Sequence, residues 1–120
     1  MGELMGIARF RFKGGKREEF ERLSAQAMEI VKAKEPGTLQ YDTFMNEDMS
    51  ECVVIERYRD SEAALEHFAN VGHLFEPIFD TVTVVHGELL GDPSEEIRAN
   101  LAGSDVPELF TPYESMTGSG

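Results

Sequence analysis

The chain has 120 residues, 41% of them hydrophobic, and this length fits one domain with its own apolar core. The formal net charge of −12 excludes nucleic acid as an expected partner, because binding to phosphates requires a cationic surface. The single cysteine, Cys52, cannot form an intramolecular disulfide, and no apolar run approaches the roughly 20 residues that span a bilayer. We therefore expect a cytoplasmic protein that does not bind membranes.

The first two predicted elements are a strand and an amphipathic helix. Side chains alternate between two faces over Leu4–Lys13, which is typical of a strand, and Gly14 and Gly15 end it. Apolar residues then recur at helical spacing over Lys16–Glu35. Acidic residues in the first turns and lysines in the last turn complement the helix dipole. The helix is expected to cover one face of a sheet.

Two further strands are predicted after this helix. Pro36 and Gly37 cannot continue the helix, and β-rich runs follow over Thr38–Met45 and Cys52–Tyr58. Both faces of the third strand carry apolar side chains, although the predicted helices can cover only one face. We therefore expect a second copy of the chain to cover the other face, which predicts a homodimer.

The second helix is predicted to be interrupted. Asp60 is a suitable N-cap for a helix over Ser61–Asn70. Gly72 and Pro77 argue against simple continuation, so a separate short helical piece is expected over His73–Asp80.

A fourth strand and a C-terminal arm complete the chain. The strand is predicted over Thr81–Leu90, with His86 on the same face as Val82 and Val84. Asp92 or Ser94 is then expected to cap a short helix that runs through Leu101, before an extended tail that carries further apolar residues.

The order of elements, β-α-β-β-α-β, predicts an α+β fold, the ferredoxin-like plait with a four-stranded antiparallel sheet. Residues 1–91 are expected to form this domain. Residues 92–120 are expected to form a helix and a tail that packs on the same or the neighbouring subunit.

Several short motifs carry a resemblance to a known family. They are Glu35-Pro36-Gly37, Leu39 and Tyr41 after it, Glu56-x-Tyr58 at the end of the third strand, and SEAALEHF over Ser61–Phe68. Together they resemble the antibiotic biosynthesis monooxygenase family of dimeric α/β barrels. The resemblance covers roughly residues 4–90 and implies an apolar pocket between the sheet and the helices.

The resemblance implies a cofactor-independent monooxygenase acting on a small aromatic, quinol-like or polyketide-like substrate. In such enzymes the substrate loses a proton and its anion reacts directly with dioxygen, so the protein orients the substrate, stabilises the anion and excludes water. The chain has no Trp, which disfavours the haem-degrading members. A non-catalytic ligand-binding or stress-response domain, and an isomerase or lyase acting on a small metabolite, are the alternatives.

No cofactor or metal is expected from the motifs. The three histidines lack a recognised ligand spacing, and the sequence has no Gly-rich phosphate loop and no nucleophile elbow.

His67 is the predicted catalytic residue, because it matches a histidine often found in the family's second helix and suits proton transfer near neutral pH. A helix-packing role is the competing interpretation. The predicted substrate-binding residues are polar or aromatic side chains: Arg9, Tyr41, Arg57, Tyr58, Phe68, Phe75 and His86. For the two arginines, pairing with Glu56 and Glu88 on neighbouring strands is the competing role, and for His86 it is a buried structural role.

Overall fold

The computed structural model describes residues 2–116, so the end of the predicted tail, residues 117–120, lies outside the described part. The elements in chain order are β1 (Leu4–Phe12), α1 (Arg17–Lys34), β2 (Thr38–Met45), β3 (Glu51–Tyr58), α2 (Ser61–Phe79), β4 (Val82–Leu90), α3 (Glu95–Leu101) and β5 (Glu108–Phe110). The predicted βαββαβ order is confirmed.

The sheet has the strand order β2-β3-β1-β4-β5, with β1 in the centre and antiparallel to both of its neighbours. It has five strands and not the predicted four, because β5 pairs in parallel with the outer edge of β4. The backbone amide of Gly91 donates to the carbonyl of Phe110 and ties the arm to this edge. The C-terminal arm therefore extends the sheet of its own chain.

The two long helices pack on one face of the sheet, which we call the inner face. Phe20, Leu23 and Ala27 of α1 and Val71 and Leu74 of α2 are buried. This spacing of three to four residues places each set on one side of its helix, where burial of apolar surface stabilises the fold.

The opposite, outer face of the sheet carries an apolar patch between charged side chains, and no element in the described part of the chain covers it. Ile7 of β1 pairs in register with Ile55 of β3, and both side chains are only partly buried. Phe44, farther out on β2, is 53% exposed. An uncovered apolar surface of this kind on a sheet is typical of an interaction surface.

The prediction that α2 is interrupted was wrong, because one helix runs continuously from Ser61 to Phe79. The side chain of Asp60 caps it by accepting a hydrogen bond of 2.9 Å from the amide of Ala63. Pro77 lies in the last turn, so it removes a hydrogen bond only near the end of the helix. Burial of the helix face then outweighs the low helix propensity of Gly72.

The prediction that His86 shares a face with Val82 and Val84 was also wrong. The register of β4 against β1 shifts by one residue, because Val84 lies opposite Phe10 whereas His86 lies opposite Arg9. A bulge of this kind moves the following side chains to the other face of the sheet. His86 is therefore exposed on the outer face.

Candidate active site

A buried histidine lies where α2 crosses β2 and β3. The imidazole of His67 is only 2% exposed. Its ring centroid is 5.3 Å from that of Tyr41 and 5.4 Å from that of Tyr58, while Phe68, the next residue in α2, packs at 6.1 Å. Three aromatic rings thus surround this imidazole.

Glu35 approaches one side of the ring from the C-terminal end of α1. Its carboxylate is fully buried, and its Oε1 lies 2.9 Å from Nδ1 of His67. Oε1 also accepts a hydrogen bond of 2.8 Å from Oγ1 of Thr38, and Oε2 accepts one of 3.2 Å from Nδ2 of Asn70. An ionised carboxylate can only accept hydrogen bonds, so the tautomer of His67 that fits this contact is the one with its proton on Nδ1.

The turn after Glu35 must be narrow for this contact to form. A Cβ atom on Gly37 would lie 2.6 Å from the Cβ of Ala63 in the first turn of α2. Glycine therefore lets α2 pack directly on the turn, and this close packing brings His67 within reach of Glu35.

Glu56 approaches the other side of the ring from β3. Its Oε1 lies 3.6 Å from Nε2 of His67 and accepts a short hydrogen bond from the hydroxyl of Tyr58. Unlike Glu35, this side chain is 27% exposed. We call Glu35, Glu56, Tyr58 and His67 the His67 cluster. It places one histidine between two carboxylates, a set of groups that can accept, hold and return a proton.

Tyr58 in the cluster and Tyr41 beside it stay protonated. Burial, together with the charges of Glu56 and Glu35, raises the pKa of Tyr41 well above its usual range. The same causes raise the pKa of Tyr58 further. Both hydroxyls can therefore donate hydrogen bonds at neutral pH and above.

Open room lies beside Glu56 on the inner face. Gly6 is the cross-strand partner of both Glu56 and Leu89, and a Cβ atom placed on Gly6 would find no other atom within 4 Å. Protein interiors are normally close-packed, so a glycine with free space between buried strands marks a gap.

Aromatic side chains form a row along the same helix. Tyr58 contacts Phe68, Phe68 contacts Phe75, and Phe75 contacts Phe79, with ring centroids 6.3 to 6.4 Å apart. Phe68 also packs on the core group that contains Leu89. The row therefore begins at the His67 cluster and supplies flat apolar surface along α2.

A groove lies between α1 and β2, on the side of Tyr41 that faces away from His67. It has a volume of about 620 Å³, and most of its lining is apolar. Its lining includes Phe20, Ala25 and Met28 from α1 and Tyr41 and Met45 from β2. Tyr41 both lines the groove and packs on His67, so it separates the groove from the buried imidazole.

The family model for antibiotic biosynthesis monooxygenase matches residues 4–74, which is more than half of the chain. The chain belongs to the antibiotic biosynthesis monooxygenase family. The match spans β1 to most of α2 and includes every member of the His67 cluster. The predicted family is thus confirmed. No curated protein matches the chain.

Solved structures of the antibiotic biosynthesis monooxygenase fold are similar over most of the chain. MupZ from Pseudomonas fluorescens is 25% identical, with a TM-score of 0.78 over 96% of this chain and 93% of that one. Rv0793 from Mycobacterium tuberculosis is 25% identical, with a TM-score of 0.65 over 78% and 97%. SnoaB, a cofactor-independent oxygenase from Streptomyces nogalater, is 22% identical over 74% and 91%, with a TM-score of 0.63. The likeness to SnoaB shows the fold alone.

The structure brings together four of the predicted site residues of this family member: His67, Tyr41, Tyr58 and Phe68. Phe75 lies one step farther along the aromatic row. Arg9, Arg57 and His86 lie away from the cluster, on the outer face. The predicted pairing of the arginines was wrong, because Nε of Arg9 donates to Glu51 at 2.8 Å and Nε of Arg57 donates to Glu3 at 3.2 Å.

The alternation of side chains along the strands explains why Arg9 and Arg57 do not pair with Glu56. Glu56 points to the inner face, whereas Arg9 and Arg57 point to the outer face, so their side chains cannot meet across the sheet. His86, which the bulge moves outward, lies 3.1 Å from Glu88.

Sequence reasoning did not identify Glu35 or Glu56 as site residues. In the sequence, Glu35 stands at the end of a predicted helix, and Glu56 is a candidate ion-pair partner for arginine. Both belong to motifs that carry the family resemblance, Glu35-Pro36-Gly37 and Glu56-x-Tyr58. A carboxylate inside each of those motifs was the available signal.

In residues 2–116, no group of three or more His, Cys, Asp or Glu side chains is arranged to hold a metal ion. None of the helices in that part of the chain is long and apolar enough to cross a membrane.

Proposed function

We propose that the protein is a cofactor-independent monooxygenase that oxidises a small aromatic, quinol-like or polyketide-like substrate with dioxygen. The observation that carries this proposal is the buried imidazole of His67 between the carboxylates of Glu35 and Glu56. Membership of the family supports the type of reaction.

In the proposed reaction the His67 cluster takes a proton from the substrate, and the resulting anion reacts with dioxygen. With an anthrone, the CH₂ group becomes a carbonyl. One oxygen atom stays in the product, the other leaves as water with the two hydrogens, and the substrate supplies all the electrons. The protein residues then need only remove a proton, orient the anion and exclude water.

An aromatic substrate fits the surfaces near the cluster. The row from Tyr58 to Phe79 offers aromatic faces, which favour stacked or edge-on contact with another ring. Gly6 leaves space beside the accessible carboxylate. Predominantly apolar walls with a few polar groups are typical of small-molecule sites.

We further propose that the protein acts as a homodimer in the cytoplasm, with the outer faces of two sheets in contact. The partly exposed pair Ile7 and Ile55, together with Phe44, supports this arrangement. Residues 1–91 would supply the reaction site, and the arm from residue 92 would support β4.

An isomerase acting on a small metabolite is the second candidate. It is favoured by one observation: the His67 cluster holds an imidazole between two carboxylates, groups that can take a proton from one position of a substrate and return it at another. A proton moved from one carbon or oxygen atom to another needs no dioxygen.

Dioxygen uptake by the purified protein tests the proposal, with hydroquinones, naphthoquinols and anthrones as substrates. We expect His67→Gln to lower the rate by about 10²-fold or more, the scale for losing a general base. His73→Gln, an exposed histidine on the same helix, is the matched control and should keep the wild-type rate.

Three results would count against the proposal. Unchanged uptake by His67→Gln would contradict the assigned site. The absence of dioxygen uptake with every substrate of the panel would contradict the proposed monooxygenase function. Conversion of a substrate to its isomer without oxygen uptake would favour the second candidate.

A further inference from the structure

We propose that Glu56 is the catalytic residue that meets the substrate, and that it passes the substrate's proton to His67, which Glu35 holds in position. This inference rests on the proposed function and deepens it. It assigns separate roles to the two carboxylates and removes the histidine from direct contact with the substrate.

Accessibility distinguishes the members of the His67 cluster. The side chain of Glu56 is 27% exposed, whereas that of His67 is 2% exposed and that of Glu35 is fully buried. The rings of Tyr41, Tyr58 and Phe68 pack around the imidazole. A substrate can therefore reach a carboxylate oxygen of Glu56 without displacing core side chains, but it cannot reach the imidazole.

The free room beside Glu56 gives the substrate a place to bind. Gly6 faces Glu56 across the strand pair, and a side chain there would meet no atom within 4 Å of its Cβ. The neighbours on either side of Gly6 along the inner face are Leu4, which is fully buried, and Ala8, which is small. Open space therefore lies at Gly6, on the strand next to Glu56.

The proton transfer can be written in two balanced steps. In the first step, a C–H or O–H bond of the substrate breaks, its electron pair stays on the substrate, and the proton binds a carboxylate oxygen of Glu56. In the second step, that proton moves to Nε2 of His67, 3.6 Å away, and Glu56 is an anion again. The resulting imidazolium lies between two carboxylates, an arrangement that stabilises its charge.

Glu35 is a positioning residue in this scheme. It is bound by His67, Thr38 and Asn70, so its carboxylate has no free oxygen to offer a substrate. Its contact with Nδ1 fixes the ring orientation and directs Nε2 toward Glu56. This resembles the way in which a buried carboxylate orients a catalytic histidine in other enzymes.

Anaerobic exchange of the CH₂ protons of an anthrone for deuterium, followed by NMR, tests the first step without dioxygen. The wild-type protein should speed this exchange over buffer. Glu56→Gln, which keeps the shape but not the charge, should lower the rate by about 10²-fold or more. Glu88→Gln is the matched control, because Glu88 is 25% exposed and lies 3.1 Å from a histidine on the outer face. It should exchange at the wild-type rate.

The variant Glu35→Gln tests whether Glu35 positions His67 or only stabilises the fold. The quantity to measure is the exchange rate as a function of pH. The titratable groups around Glu56 and His67 are Tyr58 from β3, Tyr41 from β2 and Glu35 from the end of α1, while Gly6 and Leu89 beside Glu56 carry no charge. Glutamine keeps the shape of Glu35 but removes its negative charge from beside the imidazole, so the pH profile of the exchange rate should shift. A purely structural role would lower the rate without shifting it.

If Glu56→Gln does not fold, a second variant, Gly6→Leu, tests the proposed role of Glu56. Gly6→Leu places a side chain in the free room and leaves the His67 cluster intact, so it should fold and lose exchange. The proposal is overturned if Glu56→Gln keeps the wild-type rate, if Gly6→Leu keeps it, or if the wild-type protein does not speed exchange. Exchange without oxygen uptake would overturn only the proposed monooxygenase function and would leave the role of Glu56 in place.

Discussion

Cys52 and Tyr58 are buried in the core, Tyr41 packs against it, and burial raises the pKa of all three side chains. Burial raises the pKa of the Cys52 thiol from 9.0 to about 11. Burial and nearby carboxylates raise the pKa values of Tyr41 and Tyr58 above their usual range of about 10. Each group therefore keeps its proton in the folded protein at a pH where the unfolded chain has lost it.

These shifts predict lower stability at alkaline pH. The free energy of unfolding should be unaffected by these groups below about pH 8 and should fall as the pH rises from about 9 toward 11, because the unfolded state then releases protons that the native state retains. Urea denaturation at a series of pH values measures this effect.

Cys52→Ala isolates the contribution of the thiol, since the tyrosines and the lysines titrate in both proteins. The variant should show a smaller fall between pH 9 and 11 than the wild type. An equal fall in both proteins would mean that the thiol ionises as easily in the folded state as in the unfolded chain.

Among the elements, α2 matters most for the site, because it carries His67, Asn70 and the aromatic row. Its first turn depends on Asp60, whose pKa is lowered because its carboxylate accepts a hydrogen bond from the amide of Ala63. Asp60→Ala leaves the first amides of the helix without a side-chain partner and should lower the melting temperature by about 5 °C.

Asp60→Asn is the matched variant for this prediction. Asparagine keeps an oxygen that can accept the hydrogen bond, and it is a good N-cap, so most of the melting temperature should be retained. If both variants melt at the wild-type temperature, the cap contributes nothing measurable, and packing of α2 on the sheet alone sets its start.

Patterns that depend on neighbours in the sequence predicted most of the elements. Alternation in β1, helical spacing in α1 and the Asp60 cap each arise from local geometry, and the βαββαβ order followed from them. Patterns that depend on tertiary packing were not predicted. Gly72 and Pro77 have low helix propensity, yet burial of one face of α2 carries the helix past both. Neither the bulge at Val85 nor the parallel pairing of β5 produces a periodic pattern in the sequence from which it could be predicted.

The site was predicted in its aromatic residues and its histidine, but not in its carboxylates. His67 and Glu35 are 32 positions apart, and their contact depends on how closely α2 packs on the turn at Gly37. The inward direction of Glu56 depends on strand alternation, which the sequence does show. Its partnership with His67 depends on where α2 crosses β3, which the sequence does not show.

At the scale of the whole molecule, the two faces of the sheet differ in what covers them. The inner face is buried by α1 and α2, whereas the outer face presents Ile7, Ile55 and Phe44 without cover from the described part of the chain. Burial of apolar surface is worth about 25 cal/mol per Å². A second copy of the same face could supply that burial with two-fold symmetry.

Sedimentation equilibrium tests the resulting prediction of a homodimer. The wild-type protein should have twice the mass of the 13.4 kDa chain. Ile55→Glu places a charge in the middle of the outer face and should give the monomer, because an unpaired charge is costly to bury in an interface. Gln26→Glu, on the exposed side of α1, adds the same charge and should leave the mass unchanged. A dimer that survives Ile55→Glu would mean that the two copies meet through another surface, with the sheet face left open to a different partner.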